Sequence, residues 1–272
     1  MNESMPVLEV NHLHKTFDGK HEEVHAVKDV SFRIGKNECL GLIGESGSGK
    51  STIAGIVAGL VPESSGMISY HGEILSGKSR KEQDRLTRNM QMVFQNPRAT
   101  FNPRQRIADG VAEGIRYYEK LPVKELRSKA CYYLELAGLP AEYGRKFAWQ
   151  LSGGECQRAA IARALISEPD FLICDEITSA LDVSVQKVIL EILTELRRER
   201  KMSILFISHD LAVVSQFCDR VMVLCQGEVV EEGTVQKILE HPEKYYTRQL
   251  INAVYDTDPY KNEIKKRHKL VP

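Results

Sequence analysis

The sequence predicts an α/β fold with a parallel β-sheet core, an N-terminal antiparallel β subdomain and an inserted α-helical subdomain. Three observations predict it. The runs Cys39 to Ile43, Phe171 to Cys174, Ile204 to Ile207 and Val221 to Leu224 are almost wholly apolar, which suits strands buried on both faces of a parallel sheet. Between the second and third runs, Val185, Val188, Ile189, Ile192, Leu193 and Leu196 follow the three-and-four spacing of one helical face. Strand, amphipathic helix, strand is a crossover unit. Finally, Leu8 to His14 and Val30 to Ile34 alternate apolar with polar, and Met67 to Tyr70 follows the turn Glu63 to Gly66, as expected of a small antiparallel sheet.

The stretch from Arg85 to Gln150 differs in kind. It is polar, rich in Arg, Glu and paired tyrosines, and the pattern predicts a helix over Val123 to Ala137. The organisation expected is therefore one large domain over 1–254, a helical insertion at about 85–160 and a basic tail over 255–272. His12 and His14 fall on one face of an expected edge strand and read as solvated side chains rather than metal ligands.

Composition excludes several function classes. The 272 residues carry 37 Lys plus Arg and 37 Asp plus Glu, so no overall field of either sign favours nucleic acid or an anionic surface. The six cysteines lack C-x-x-C spacing and sit largely in apolar runs, the ordinary setting of buried thiols. The first residues lack a basic region followed by an apolar stretch. No window approaches the ~20 consecutive apolar residues of a membrane-spanning helix. The expected chain is soluble, reduced and cytosolic, attached to a membrane only through another protein.

Immediately after the first apolar run stands Gly44-Glu45-Ser46-Gly47-Ser48-Gly49-Lys50-Ser51, with a helix expected from about Thr52. This is G-x-x-x-x-G-K-[ST] in the strand–loop–helix setting the motif requires. Glycines let the loop curl so that consecutive N–H groups converge on phosphate oxygens, and the helix dipole points its positive end at the same anion. A chance match in a chain this long is on the order of one in a hundred. Lys50 would serve the β- and γ-phosphates of ATP, and Ser51 would ligate Mg²⁺. The run ending in Asp175-Glu176 places two carboxylates at a buried strand end, where parallel sheets put their ligands. Asp175 would orient the metal and Glu176 would act as general base. The fold class is thus a P-loop NTPase with a RecA-like parallel sheet core.

Leu151-Ser152-Gly153-Gly154-Glu155, followed by Cys156-Gln157-Arg158, resembles the signature of ABC ATPases, and the resemblance extends over almost the whole chain. It implies that Gln95 is the Q-loop glutamine, touching the metal and a membrane partner. Ser179 to Asp182 matches the D-loop, with Asp182 at the nucleotide, and His209 in Ser208-His209-Asp210 matches the switch histidine. Phe17 lies where the family stacks an aromatic residue on adenine. Ser152, Gly153, Gly154 and Glu155 would face the γ-phosphate held by a second ATPase subunit. Glu155 stands in place of the commoner Gln, and Ile177 in place of the usual Pro.

Within that family, Gln91 to Arg104, Leu181 to Gln186 and His241 to Arg248 resemble the ATPases of dipeptide, oligopeptide and nickel importers. The partners implied are integral-membrane permease subunits, docked through the insertion around Phe101 to Tyr118. A sibling ATPase or a second copy would complete the pair, and an extracytoplasmic solute-binding protein would act indirectly, all at the cytoplasmic face of the membrane and without nucleic acid. No Cys follows Cys225, so an iron–sulfur cluster is not carried over. The readings weighed against this one are a soluble cassette acting without a permease, an exporter ATPase and a regulatory half that binds ATP without hydrolysing it.

Overall fold

A computed structural model describes residues 5–19, 22–179 and 181–257; the expected tail from residue 258 onward and Ala180 of the expected D-loop lie outside them, while 255–257 close the last helix. In chain order, β1 (Leu8–Asp18) and β2 (Glu23–Ile34) pair antiparallel. Next come β3 (Cys39–Ile43), α1 (Lys50–Val57), β4 (Ser65–Tyr70) and β5 (Glu73–Ile74). The middle of the chain holds α2 (Arg80–Leu86), β6 (Met90–Val93), α3 (Ile107–Arg116), α4 (Val123–Leu136) and α5 (Gly153–Leu165). Then follow β7 (Phe171–Asp175), α6 (Val183–Arg200), β8 (Ser203–Ile207) and α7 (Leu211–Phe217). The described chain ends with β9 (Arg220–Cys225), β10 (Glu228–Thr234), α8 (Val235–Glu240) and α9 (Tyr245–Thr257).

Two sheets result. The first is antiparallel in the order β2-β1-β4-β5. The second runs β10-β9-β3-β8-β7-β6, parallel except for β10. All four apolar runs of the sequence lie in its interior. Their side chains alternate between two cores, as a two-residue period demands. Leu40 and Leu42 of β3 face a core shared with β1, β2 and α1, whereas Cys39 and Ile43 face the core that includes α3, α4 and α5. The helical segment therefore shares apolar packing with the sheet rather than standing apart from it.

Three local expectations change. β1 is flanked by β2 and β4 and is not an edge strand, because alternation reports one buried face and says nothing about how many neighbours a strand has. His12 is nonetheless exposed and pairs with Asp29 at 2.7 Å. Met90–Val93, inside the segment read as insertion, forms the outermost parallel strand beside β7; four residues of mixed polarity are too short for periodicity to reveal. Phe101, read as part of a docking surface, is 6% exposed and lies under the Arg163 guanidinium, 4.7 Å from its ring. Among the described residues no helix is long and apolar enough to cross a membrane.

Candidate nucleotide site

β3 is buried along its whole length and delivers the chain to the phosphate loop with little freedom of direction. The loop is then packed so closely that two of its residues must be glycine. A Cβ on Gly44 would sit 2.1 Å from the Leu224 carbonyl oxygen, and one on Gly49, whose φ is +104°, would sit 2.4 Å from that of Ala26. The Ser48 carbonyl accepts the Gly227 N–H at 3.0 Å, tying the loop to the β9–β10 turn. Lys50 folds back into this cradle, 5% exposed. Its Nζ donates to the Gly44 and Glu45 carbonyls, each at 2.8 Å. Burial holds its pKa below the usual lysine value, against the pull of Glu176 and Asp175.

Register brings the catalytic candidates to one level. Val93 pairs with Cys174, and Asp175 pairs with Ile207. Chain segments leaving β6, β7 and β8 therefore emerge side by side, carrying Gln95, Glu176 and His209. Gln95 Nε2 donates to Glu176 Oε2 at 2.9 Å, and His209 Nδ1 lies 3.6 Å from the same oxygen. Glu176 has φ +48°, a left-handed conformation that non-glycine residues adopt at a cost and that recurs at functional sites. Its N–H is satisfied by the Ile207 carbonyl at 3.0 Å. One residue earlier, Asp175 Oδ1 accepts the Ser51 hydroxyl at 3.1 Å. Burial raises the Asp175 pKa, partly offset by the Ser51 hydrogen bond. A buried carboxylate beside a hydroxyl offers the oxygen donors that a hard cation takes.

The signature segment forms a second turn with different chemistry. Ser152 is the N-cap of α5, its hydroxyl accepting the Glu155 N–H at 3.3 Å. Glu155 accepts the Ser152 N–H at 2.7 Å and the Tyr143 hydroxyl at 2.8 Å. These bonds, the Ser152 N–H first, hold its carboxyl below the usual range. This is a capping box, and it gives a reason for Glu155: a carboxylate accepts both donors, and it lies at the positive end of the helix. The pattern Ser-x-x-Glu was in the sequence and would have predicted it. Beside the turn, Asp182 caps α6 by accepting the Val185 N–H at 3.0 Å, and Val185 packs so tightly that a Cβ on Gly154 would meet it at 2.6 Å. Gly153, by contrast, has nothing within 4 Å of a Cβ.

The structure thus gathers Gly44 to Thr52, Gln95, Asp175, Glu176 and His209 into one region. Among the described residues, no hydrogen bond joins Ser152 to Glu155 with the phosphate loop. Phe17 stands at the far end of β1, 40% exposed, with Lys15 Nζ 4.8 Å from its ring centre. Two residues escape sequence reading. Arg98 donates to the Leu151 carbonyl at 2.5 Å, across 53 positions. The Tyr246 hydroxyl accepts the Glu45 N–H at 3.3 Å, across 201 positions. No local pattern encodes contacts of that range.

Comparison with known proteins identifies the family. Residues 27–179 match the family model for ABC transporters. The oligopeptide transport ATP-binding protein OppF of Haemophilus influenzae is 40% identical over 263 residues, 93% of this chain and 79% of its own length. OppF of Bacillus subtilis is 40% identical over 268 residues, 98% of this chain and 88% of its own. Among solved structures, the ATP-binding cassette MJ0796, a dimer in a post-hydrolysis state bound to ADP and Pi, superimposes with a TM-score of 0.79. It shares 28% identity over 84% of this chain and 98% of its own. CbiO1 of Clostridium perfringens, part of the transporter complex cbiONQ, gives 0.77 at 27% identity, over 97% of this chain and 100% of its own. This chain belongs to the ABC transporter family, as an ATP-binding and ATP-hydrolysing subunit.

Proposed function

We propose that this chain energises an importer of peptides, or of a chelated metal such as nickel, at the cytoplasmic face of a membrane. It docks there on integral-membrane permease subunits and works against a second ATPase subunit. The relatives named for oligopeptide transport support the cargo class, and the dimeric neighbour supports the pairing. The observation that carries the catalytic part is the Glu176 carboxylate, held by Gln95 and facing His209 at the level of Asp175 and Lys50.

The residues suit a magnesium-bound triphosphate. The loop admits no Cβ at Gly44 or Gly49 and turns its exposed arm, Glu45 to Gly47, to solvent. Ser51 and Asp175, with Gln95 nearby, provide the oxygen donors a hard cation prefers. Magnesium, when bound, neutralises phosphate charge. Lys50 exchanges the two loop carbonyls for phosphate oxygens. Glu176 accepts a proton from the attacking water, while Gln95 and His209 hold its carboxylate in one rotamer. Ser152, Gly153 and Gly154 present the α5 N-terminus to the nucleotide of the partner, and Asp182 stands beside them.

Arg98 connects the two turns, since the segment that begins with Gln95 ends by gripping the carbonyl next to Ser152. Movement of Gln95 with the state of its own site is thereby passed to the turn that serves the other site. The exposed tyrosines of the helical segment, Tyr117, Tyr118 and Tyr132, together with Trp149, supply the apolar surface for the permease. The test is uptake by vesicles containing permease, both ATPase subunits and binding protein. Glu176→Gln is expected to stop both ATP turnover and uptake; undiminished uptake would contradict the proposal.

A further inference from the structure

The segment His241 to Arg248 is absorbed by none of the catalytic roles above, yet it is unusually well fixed. The Glu231 carboxylate of β10, 7% exposed, accepts the N–H groups of Glu243 and Lys244 at 2.8 and 3.1 Å. That satisfies two donors next to the start of α9, which would otherwise be unpaired. Arg248 folds back on the same turn, donating to the Pro242 and Glu243 carbonyls at 3.0 and 2.8 Å. Thr247 is fully buried. Such a network defines the position of the one side chain between Tyr245 and Thr247, and that side chain is Tyr246.

Tyr246 points at the nucleotide site. Its hydroxyl accepts the Glu45 N–H at 3.3 Å, and Glu45 is the first exposed residue of the phosphate loop. The inner part of the loop has other anchors: Ser48 to Gly227, and Gly44 against Leu224. The exposed arm, Glu45 to Gly47, has among the described residues no other hydrogen bond to a residue outside the loop. The neighbouring carbonyl matters too, because the Glu45 oxygen accepts Lys50 Nζ. Fixing the peptide that ends in the Glu45 N–H therefore limits the directions open to the arm that must close on phosphate.

We propose that Tyr246 is a positioning residue for the phosphate loop. Through it, the carboxyl-terminal helix α9 holds the loop's exposed arm close to its nucleotide-binding shape before ATP arrives. A preorganised loop loses less freedom on binding, so the tether acts on affinity rather than on the chemical step. α9 also packs against α7, which follows His209, so the same helix borders both sides of the site. The inference rests on the ATPase reading for its affinity consequence, but the tether itself is a property of the nucleotide-free chain.

The test uses the full chain as wild type, Tyr246→Phe and the control Tyr245→Phe. Tyr245 is 73% exposed, and its hydroxyl accepts from Gln249 at 3.0 Å. Hydrogen exchange of the 44–50 peptide without nucleotide is expected to speed up in Tyr246→Phe alone. The dissociation constant for MgATP is expected to rise about threefold to tenfold, the worth of one such hydrogen bond, with kcat changed less than about twofold. Loop exchange equal to wild type would overturn the inference, and so would faster exchange with unchanged ATP affinity. Failure of the ATPase reading would look different: the wild-type chain itself would bind no MgATP, while the change in loop exchange persisted.

Discussion

The chain contains two glycine-bearing turns at helix N-termini, and they differ in how far the chain itself completes them. The phosphate loop is closed in on its inner side. Its cation is buried, its glycines meet backbone atoms, and its neighbouring carboxylates are hydrogen-bonded within the chain. The signature turn is held by its own Ser152–Glu155 capping box and, from outside, by the Tyr143 hydroxyl on Glu155 and the Arg98 guanidinium on the Leu151 carbonyl. Its Gly153 faces open space. Both turns offer N–H groups and a helix dipole to an anion, but the first lies with Asp175, Glu176, Gln95 and His209, the groups proposed for hydrolysis. An anion site left open on a well-packed surface fits a structure whose other half belongs to another subunit.

Substitutions can break or sharpen that contrast. The largest effect is expected at Glu176→Gln, which keeps the hydrogen-bond partners but removes the proposed base: turnover is expected to fall by about 10²–10⁴ while MgATP binding, read by isothermal titration, persists. Paired glycine variants follow. Gly49→Ala forces a Cβ onto the Ala26 carbonyl at a positive φ and is expected to cost about 2 kcal/mol or more in stability, with loss of ATP binding. At Gly153 a Cβ meets nothing within 4 Å, so Gly153→Asp is expected to leave the melting temperature near wild type. Its carboxylate would repel the phosphates of a partner's nucleotide, and turnover of the assembled pair is expected to fall at least about tenfold.

Smaller effects test each turn separately. Glu155→Ala removes the capping box and is expected to cost about 1 kcal/mol. The folded pKa of Glu155 is depressed, so its contribution is complete above the unfolded value of 4.5 and is lost as pH falls through the lower folded value. Stability curves of wild type and variant should converge there. Asp175→Asn has the opposite sign. The folded pKa of Asp175 is raised above 3.8, so the ionised group opposes folding. Asn is expected to raise the melting temperature slightly near neutral pH. That advantage narrows as the pH drops through the raised value, where wild-type Asp175 takes up its proton.

The sequence made the inner turn more legible than its supports. Apolar runs reveal buried parallel strands, and a motif at the end of such a run carries its own structural context, so Lys50, Asp175 and Glu176 could be placed from local pattern. Gln95 and His209 needed the resemblance, because a lone glutamine or histidine after a strand has no distinguishing period. The register that levels them with Glu176 is a property of pairing between strands far apart in sequence. β6 stayed hidden for the same reason: four residues of mixed polarity acquire a strand's identity only from β7. Glu155 was legible as a cap yet was read only as a departure from a signature. Arg98 and Tyr246 leave no sequence trace, since each acts on a carbonyl or N–H whose position depends on the whole fold.

The most direct test of the account is a structure of Glu176→Gln with MgATP, in the presence of a second copy or a sibling subunit. The account predicts each nucleotide bound by Lys50 of one protomer and approached across the interface by the α5 N-terminus of the other. A nucleotide contacted by Lys50 and Ser152 of the same protomer, or a Ser152 that reaches no nucleotide at all, would contradict it.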